Sequence, residues 1–126
     1  MSKTLRGSCL CGAVAFRVDP PFDYFGHCYC SRCRKKTGTA RATALKVGAK
    51  QFGWTKGKDH VRRWDMPEAR SFATSVCATC GSNLPHLTRS GREAIVPAGS
   101  LDSEIPMSPT SHDLWESRAN WVESNA

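Results

Sequence analysis

Seven cysteines fall into tight groups: Cys9-Leu10-Cys11, Cys28-Tyr29-Cys30 with Cys33 close behind, and Cys77-Ala78-Thr79-Cys80. A disulfide framework pairs an even number of thiols, so seven leaves one over, and the spacings are those of metal ligands. Thiolates gathered on an ion tie distant segments together, which constrains the fold more than any other feature of this chain. Cys77-x-x-Cys80-Gly81 is a zinc knuckle by spacing. Its two intervening residues let both sulfurs face one ion, and the glycine permits a positive φ. Cys9-x-Cys11-Gly12 is a tighter version, with the i and i+2 side chains on one side of an extended segment. Two such pairs, far apart in sequence, make a four-thiolate tetrahedral site that clamps the start of the chain to its second half.

Cys28, Cys30 and Cys33 are then left together. Three protein ligands with one open position are the pattern of catalytic zinc, whereas a histidine in the fourth position would make a second closed site. Spacing leaves His27, His86 and His112 as candidates for that fourth ligand and, alternatively, for a proton-transfer role beside an open one. Sorting Cys28 or Cys30 into the four-ligand site instead would split a compact cluster between two ions. Three thiolates also limit the chemistry, because a zinc so ligated is formally anionic and activates water weakly. A soft, sulfur-rich ion still accepts another sulfur, so an open position suits a substrate thiol held as the thiolate.

The formal charge of +7 raises the question of nucleic acid, but it counts every cysteine as neutral. Seven thiolates on two divalent ions bring it to about +4. The basic run Arg32, Arg34, Lys35 and Lys36 could offset the anionic centre and draw in an acidic thiol such as glutathione. It could equally be a solvated helix face. No base-reading motif accompanies it. A non-catalytic zinc module that meets nucleic acid or protein through its basic surface is the alternative function. The length of 126 residues suits one domain, 1–126. No apolar run approaches the ~20 residues of a membrane span, and "MSKTLRGSCLCG" has no apolar stretch of a secretory signal. A cytoplasmic protein with reduced thiols and no membrane partner is expected.

Periodicity points to a mostly β fold of short strands. Gly12–Val18 places Val14, Phe16 and Val18 on one face, and Arg41–Val47 does the same with Thr43, Leu45 and Val47. His60–Met66 and Arg70–Val76 read as two more strands around a Pro67–Glu68 turn. Glu93–Leu101 begins as a strand and is demoted by Pro97. Ser31 is expected to cap one short helix that runs through Lys36 and Thr37 and stops at Gly38. Ser111–Trp121 is either a short helix or an irregular docking segment, with Trp115 and Trp121 packing it over the sheet. Tyr24, Phe25 and Tyr29 flank the three-cysteine group as pocket or core residues, and His60 is expected in solvent.

The stretches "GSCLCGAVAFRV", "HCYCSRCRKKTG", "CATCGSNL", "AGSLDSE" and "SHDLWESRANW" together resemble the glutathione-dependent formaldehyde-activating enzyme family, which includes the eukaryotic centromere protein V. The resemblance runs in order over nearly the whole chain. It implies a β-tent fold of short antiparallel strands holding two Zn²⁺ ions. Cys9, Cys11, Cys77 and Cys80 would hold a structural zinc, and Cys28, Cys30 and Cys33 a catalytic one. The activity it implies is that of a carbon–sulfur lyase, joining a thiol (glutathione) reversibly to an aldehyde (formaldehyde) to give S-(hydroxymethyl)glutathione. Small-molecule thiol and aldehyde are thus the implied substrates.

Overall fold

The computed structural model describes residues 3–123. Among these residues, eleven short strands form three sheets, accompanied by one short α-helix with no buried residue. The first sheet joins β1 (Leu5–Ser8), β2 (Ala15–Val18) and β5 (Phe52–Lys56) in the order β1-β2-β5. The second joins β3 (Tyr24–Cys28), β4 (Ala42–Gly48), β9 (His86–Leu87), β10 (Glu93–Pro97) and β11 (Ser111–Asp113) in the order β11-β3-β4-β10-β9. The third joins β6 (Val61–Asp65), β7 (Ala73–Cys77) and β8 (Asn83–Leu84). The pairings are antiparallel except that of β11 with β3, which is parallel. Among the described residues, no helix is long and apolar enough to cross a membrane.

The two-residue period sorts side chains between core and cavity. Leu5, Val14, Phe16 and Val18 from the first sheet meet Phe25, Leu45, Val47, Ala94 and Val96 from the second, and Cys77 and Leu84 from the third. Burying each large apolar side chain contributes about 1.5–3 kcal/mol, so this shared cluster holds the three sheets together. The opposite face of the second sheet carries Tyr24, Gly26, Cys28, Ala42, Ala44, Lys46, Ile95 and Pro97, and there it floors a cavity.

The alternation expected for Val14, Phe16 and Val18, and for Thr43, Leu45 and Val47, is present, with Thr43 half-buried and the other five fully buried. Other local expectations need correction. Pro97 does not demote its strand: β10 lies between β4 and β9, with Pro97 as its last residue, where a missing N–H costs the ladder least. The helix α1 (Ser31–Thr37) is capped by Cys30 rather than Ser31, because the Cys30 sulfur accepts the Cys33 N–H at 3.4 Å. Gly38 stops it as expected, at φ 71°. The tail enters as strand β11 and a single 3₁₀ turn, Trp115–Ser117. Trp115 packs edge-on to buried Tyr29 with ring centroids 4.8 Å apart, whereas Trp121 is 64% exposed and does not cover the sheet.

Candidate metal centres and the adjoining cavity

Two cysteine clusters form, and each could hold a metal ion. In the first, the sulfurs of Cys9, Cys11, Cys77 and Cys80 all lie within 4.8 Å of one another. Cys9 and Cys11 are 3.7 Å apart and Cys11 and Cys77 3.9 Å. A disulfide needs about 2.05 Å, whereas four sulfurs each about 2.3 Å from one tetrahedral zinc stand roughly 3.8 Å apart. The donor set therefore fits zinc. Both turns that present it depend on glycine, with Gly12 at φ 80° and Gly81 at φ 75°. The Gly81 N–H closes the knuckle onto the Cys77 carbonyl at 2.9 Å. The N–H groups that reach sulfur come from Val14, to Cys9 at 3.3 Å, and Thr79, to Cys77 at 3.4 Å. Hydrogen bonds from the Ser82 hydroxyl and backbone push the Cys80 thiol down to about 5, favouring the thiolate that a metal requires.

The second cluster brings Cys28, Cys30 and Cys33 within 4.8 Å of one another, all half-buried. Cys28 comes from the end of β3, and the other two from the start of α1. Despite opposing burial, the Cys33 N–H and the neighbouring sulfurs lower the Cys30 pKa. Burial, and then repulsion from Cys28 and Cys30, drive the Cys33 thiol far above its ordinary range. Three sulfurs this close ionise together only with a cation between them, which a bound Zn²⁺ would supply.

No histidine belongs to this cluster among the described residues. His27 neighbours Cys28 in sequence but points to the opposite face of β3, where its Nδ1 meets the Thr43 hydroxyl at 2.8 Å. His112 Nδ1 meets the Tyr29 hydroxyl at 2.9 Å, and Arg41 donates to that hydroxyl at 2.7 Å. His112 also stacks on Tyr29 and lies tilted against His27, with ring centroids 5.1 Å apart, completing a partly buried network that docks β11. His86 reaches the cavity wall instead, and His60 is exposed, as expected.

Cys28 and Cys33 open onto a cavity of about 290 Å³. One face of the second sheet floors it, and Lys36 and Thr37 of α1 with Ser71, Phe72 and Ala73 cover it. Tyr24 lines it and donates its hydroxyl to Asp113 at 2.7 Å, while Phe25 and Tyr29 belong to the buried interior. The basic run disperses: Arg32 and Lys35 are exposed, and Lys36 alone lines the cavity. Sequence reasoning did not assign Phe72, Asn83, Ile95 or Pro97 to the site, because they stand far in sequence from Cys28, Cys30 and Cys33. Only the strand order places them on this wall.

Residues 4–118 match the family described as glutathione-dependent formaldehyde-activating enzyme. A Halomonas elongata protein whose name provisionally assigns the same activity is 34% identical over 129 residues, covering 94% of this chain and 80% of that one. The crystal structure of a Rhodobacter sphaeroides protein, a structural genomics target, aligns with a TM-score of 0.65 at 25% identity, covering 84% of this chain and 99% of the other.

Proposed function

The chain belongs to the glutathione-dependent formaldehyde-activating enzyme family, and on that premise we propose that it is a zinc-dependent carbon–sulfur lyase acting at the Cys28/Cys30/Cys33 centre. It adds a small thiol, glutathione in kind, reversibly to an aldehyde such as formaldehyde. The observation that carries this reading is a three-sulfur cluster with no histidine in it among the described residues, opening onto a cavity. Cys28, Cys30 and Cys33 would hold the reactive-site ion, and Cys9, Cys11, Cys77 and Cys80 a structural one, giving two Zn²⁺ per chain. When bound, the ion at the three-cysteine centre supplies a fourth position that favours a thiol sulfur in its thiolate form.

The chain's own residues do the rest. The Cys33 N–H, directed at the Cys30 sulfur, fixes one ligand as part of the helix cap. Phe72, Ile95, Pro97 and the alanines of β4 exclude bulk water from the space beside Cys28 and Cys33. Confining thiol and aldehyde together there replaces a bimolecular encounter with a local one, the main gain for an addition that is already fast in water. The sulfur lone pair forms the carbon–sulfur bond, the carbonyl π pair moves to oxygen, and the thiol's proton ends on that oxygen. The product is a hydroxymethyl thioether, and no third reactant is needed.

The test is the rate of thiol–aldehyde adduct formation by metal-loaded protein, with Cys30→Ser and Cys33→Ser alongside. Turnover above the spontaneous rate that both variants abolish supports the reading. A metal-loaded protein that shows no excess rate with any common thiol overturns it.

A further inference from the structure

The cavity holds two polar groups that the fold itself leaves without a counterpart. His86 is 7% exposed, lines the cavity, and its buried Nδ1 has no hydrogen-bond partner. A buried polar atom in that condition costs roughly 1–3 kcal/mol unless something else satisfies it. Lys36, half-buried in α1, forms no ion pair with a carboxylate among the described residues. Its Nζ makes one long contact, 3.4 Å to the Ala73 carbonyl, and lies 5.7 Å from the centre of the Phe72 ring. The two groups act on each other. After burial, the Lys36 charge is the next largest influence holding the His86 pKa down, to about 4, so the imidazole stays neutral and can donate a hydrogen bond.

Strand register sets how far His86 lies from the sulfurs, whereas Lys36 follows Cys33 by one turn of α1. Tyr24, Lys46, Ile95 and His86 form one row across β3, β4, β10 and β9, and Cys28 is four residues further along β3. Three strand spacings separate β3 from β9, roughly 14 Å between backbones before the side chains reach inward. A two- or three-residue peptide, at about 3.5 Å per residue, can bridge the remainder, and a two-carbon thiol cannot. Two other charged groups line the cavity: Asp113 accepts the Tyr24 hydroxyl, and Lys46, 5.6 Å from the Tyr24 ring, stands on β4, two strands away from His86.

We propose that Lys36 and His86 form a carboxylate-binding subsite at the β9 end of the cavity, which selects an acidic peptide thiol over an uncharged short one. The proposal rests on the reading of the cavity as a thiol site. A carboxylate there would pair with the ammonium and accept the imidazole N–H, satisfying both groups at once.

The probe is S-methylglutathione, whose blocked sulfur keeps addition chemistry out of the measurement. Its affinity for the metal-loaded protein is measured by calorimetry beside that of the analogue with both carboxylates capped as amides. The native protein is expected to prefer the acid by about 10-fold or more. Lys36→Gln and His86→Leu should each reduce that preference to about 3-fold or less by weakening the acid alone. If Lys36 serves only as a counter-charge for the sulfurs, Lys36→Gln weakens both probes equally and the proposal falls. It also falls if the native protein shows no preference, or if folded variants with native metal content keep it. Should His86→Leu fail to fold, Lys36→Gln, at a half-exposed position, decides the matter. An intact acid preference without any aldehyde turnover would support the subsite while overturning the catalytic reading.

Discussion

The two cysteine clusters use the same atoms for opposite ends. The four-cysteine cluster joins residues 66 apart in sequence, Cys11 and Cys77, and its sulfurs range from buried to exposed with Leu10 in open solvent beside them. The three-cysteine cluster spans six residues, draws two of its cysteines from one helix turn, and faces a cavity. Closing a long loop removes much chain entropy, whereas gathering neighbours removes little. On the proposed reading, the distant cluster is therefore placed to stabilise the fold, and the local one can leave a coordination position free without endangering it.

The sharpest way to break this contrast is Cys77→Ser. A structural zinc typically contributes about 10–16 kcal/mol, comparable to the whole stability of a domain. The variant is expected to lose its cooperative thermal transition and both metals. A protein that melts normally with one ion removed would show that the distant cluster is no clamp. Next in size, Cys30→Ser should bind one metal instead of two and reduce adduct formation to the spontaneous rate. Serine is itself a good helix cap, so the melting temperature should fall by less than about 5 °C. Elemental analysis and calorimetry together read both effects.

A smaller effect belongs to the cavity alone. His86 has its pKa held at about 4 by burial and by the charges of Lys36 and Arg63, against an ordinary value of 6.5. Between these values the unfolded chain binds the extra proton, so stability rises with pH across the window and is lost as pH falls from 6.5 towards 4. The loss is on the order of 3 kcal/mol. His86→Leu should flatten that part of the stability–pH curve, measured by denaturant unfolding at constant metal content. A curve as steep as the native one would sink the assignment. Smallest of all, Gly38→Ala should cost about 1 kcal/mol. The helix stop sits at φ 71° with open space around it, so the penalty is backbone strain without a clash. Metal content at the three-cysteine centre should not change.

Much of this protein was legible in its residues. The cysteine spacings predicted two separate clusters, and the structure assembles those two groups. The alternation of Val14, Phe16 and Val18 showed which face enters the core. These signals survive because ligand spacing and strand period are local. The strand β3 was missed, since "YFGHC" reads as neither alternating nor β-branched, and its extended form is imposed by pairing with β4 and β11. The same pairing settled the histidines. One residue along a strand reverses a side chain, so His27 turned away from Cys28, while His86, remote in sequence, came onto the cavity wall through its register with Ile95. The grouping of the cysteines, family membership and the mostly β character were therefore determined by sequence alone. Which basic residue faces the cavity, and which histidine stands there without a partner, was decided only by strand order and register, because those depend on contacts between segments that no local pattern records.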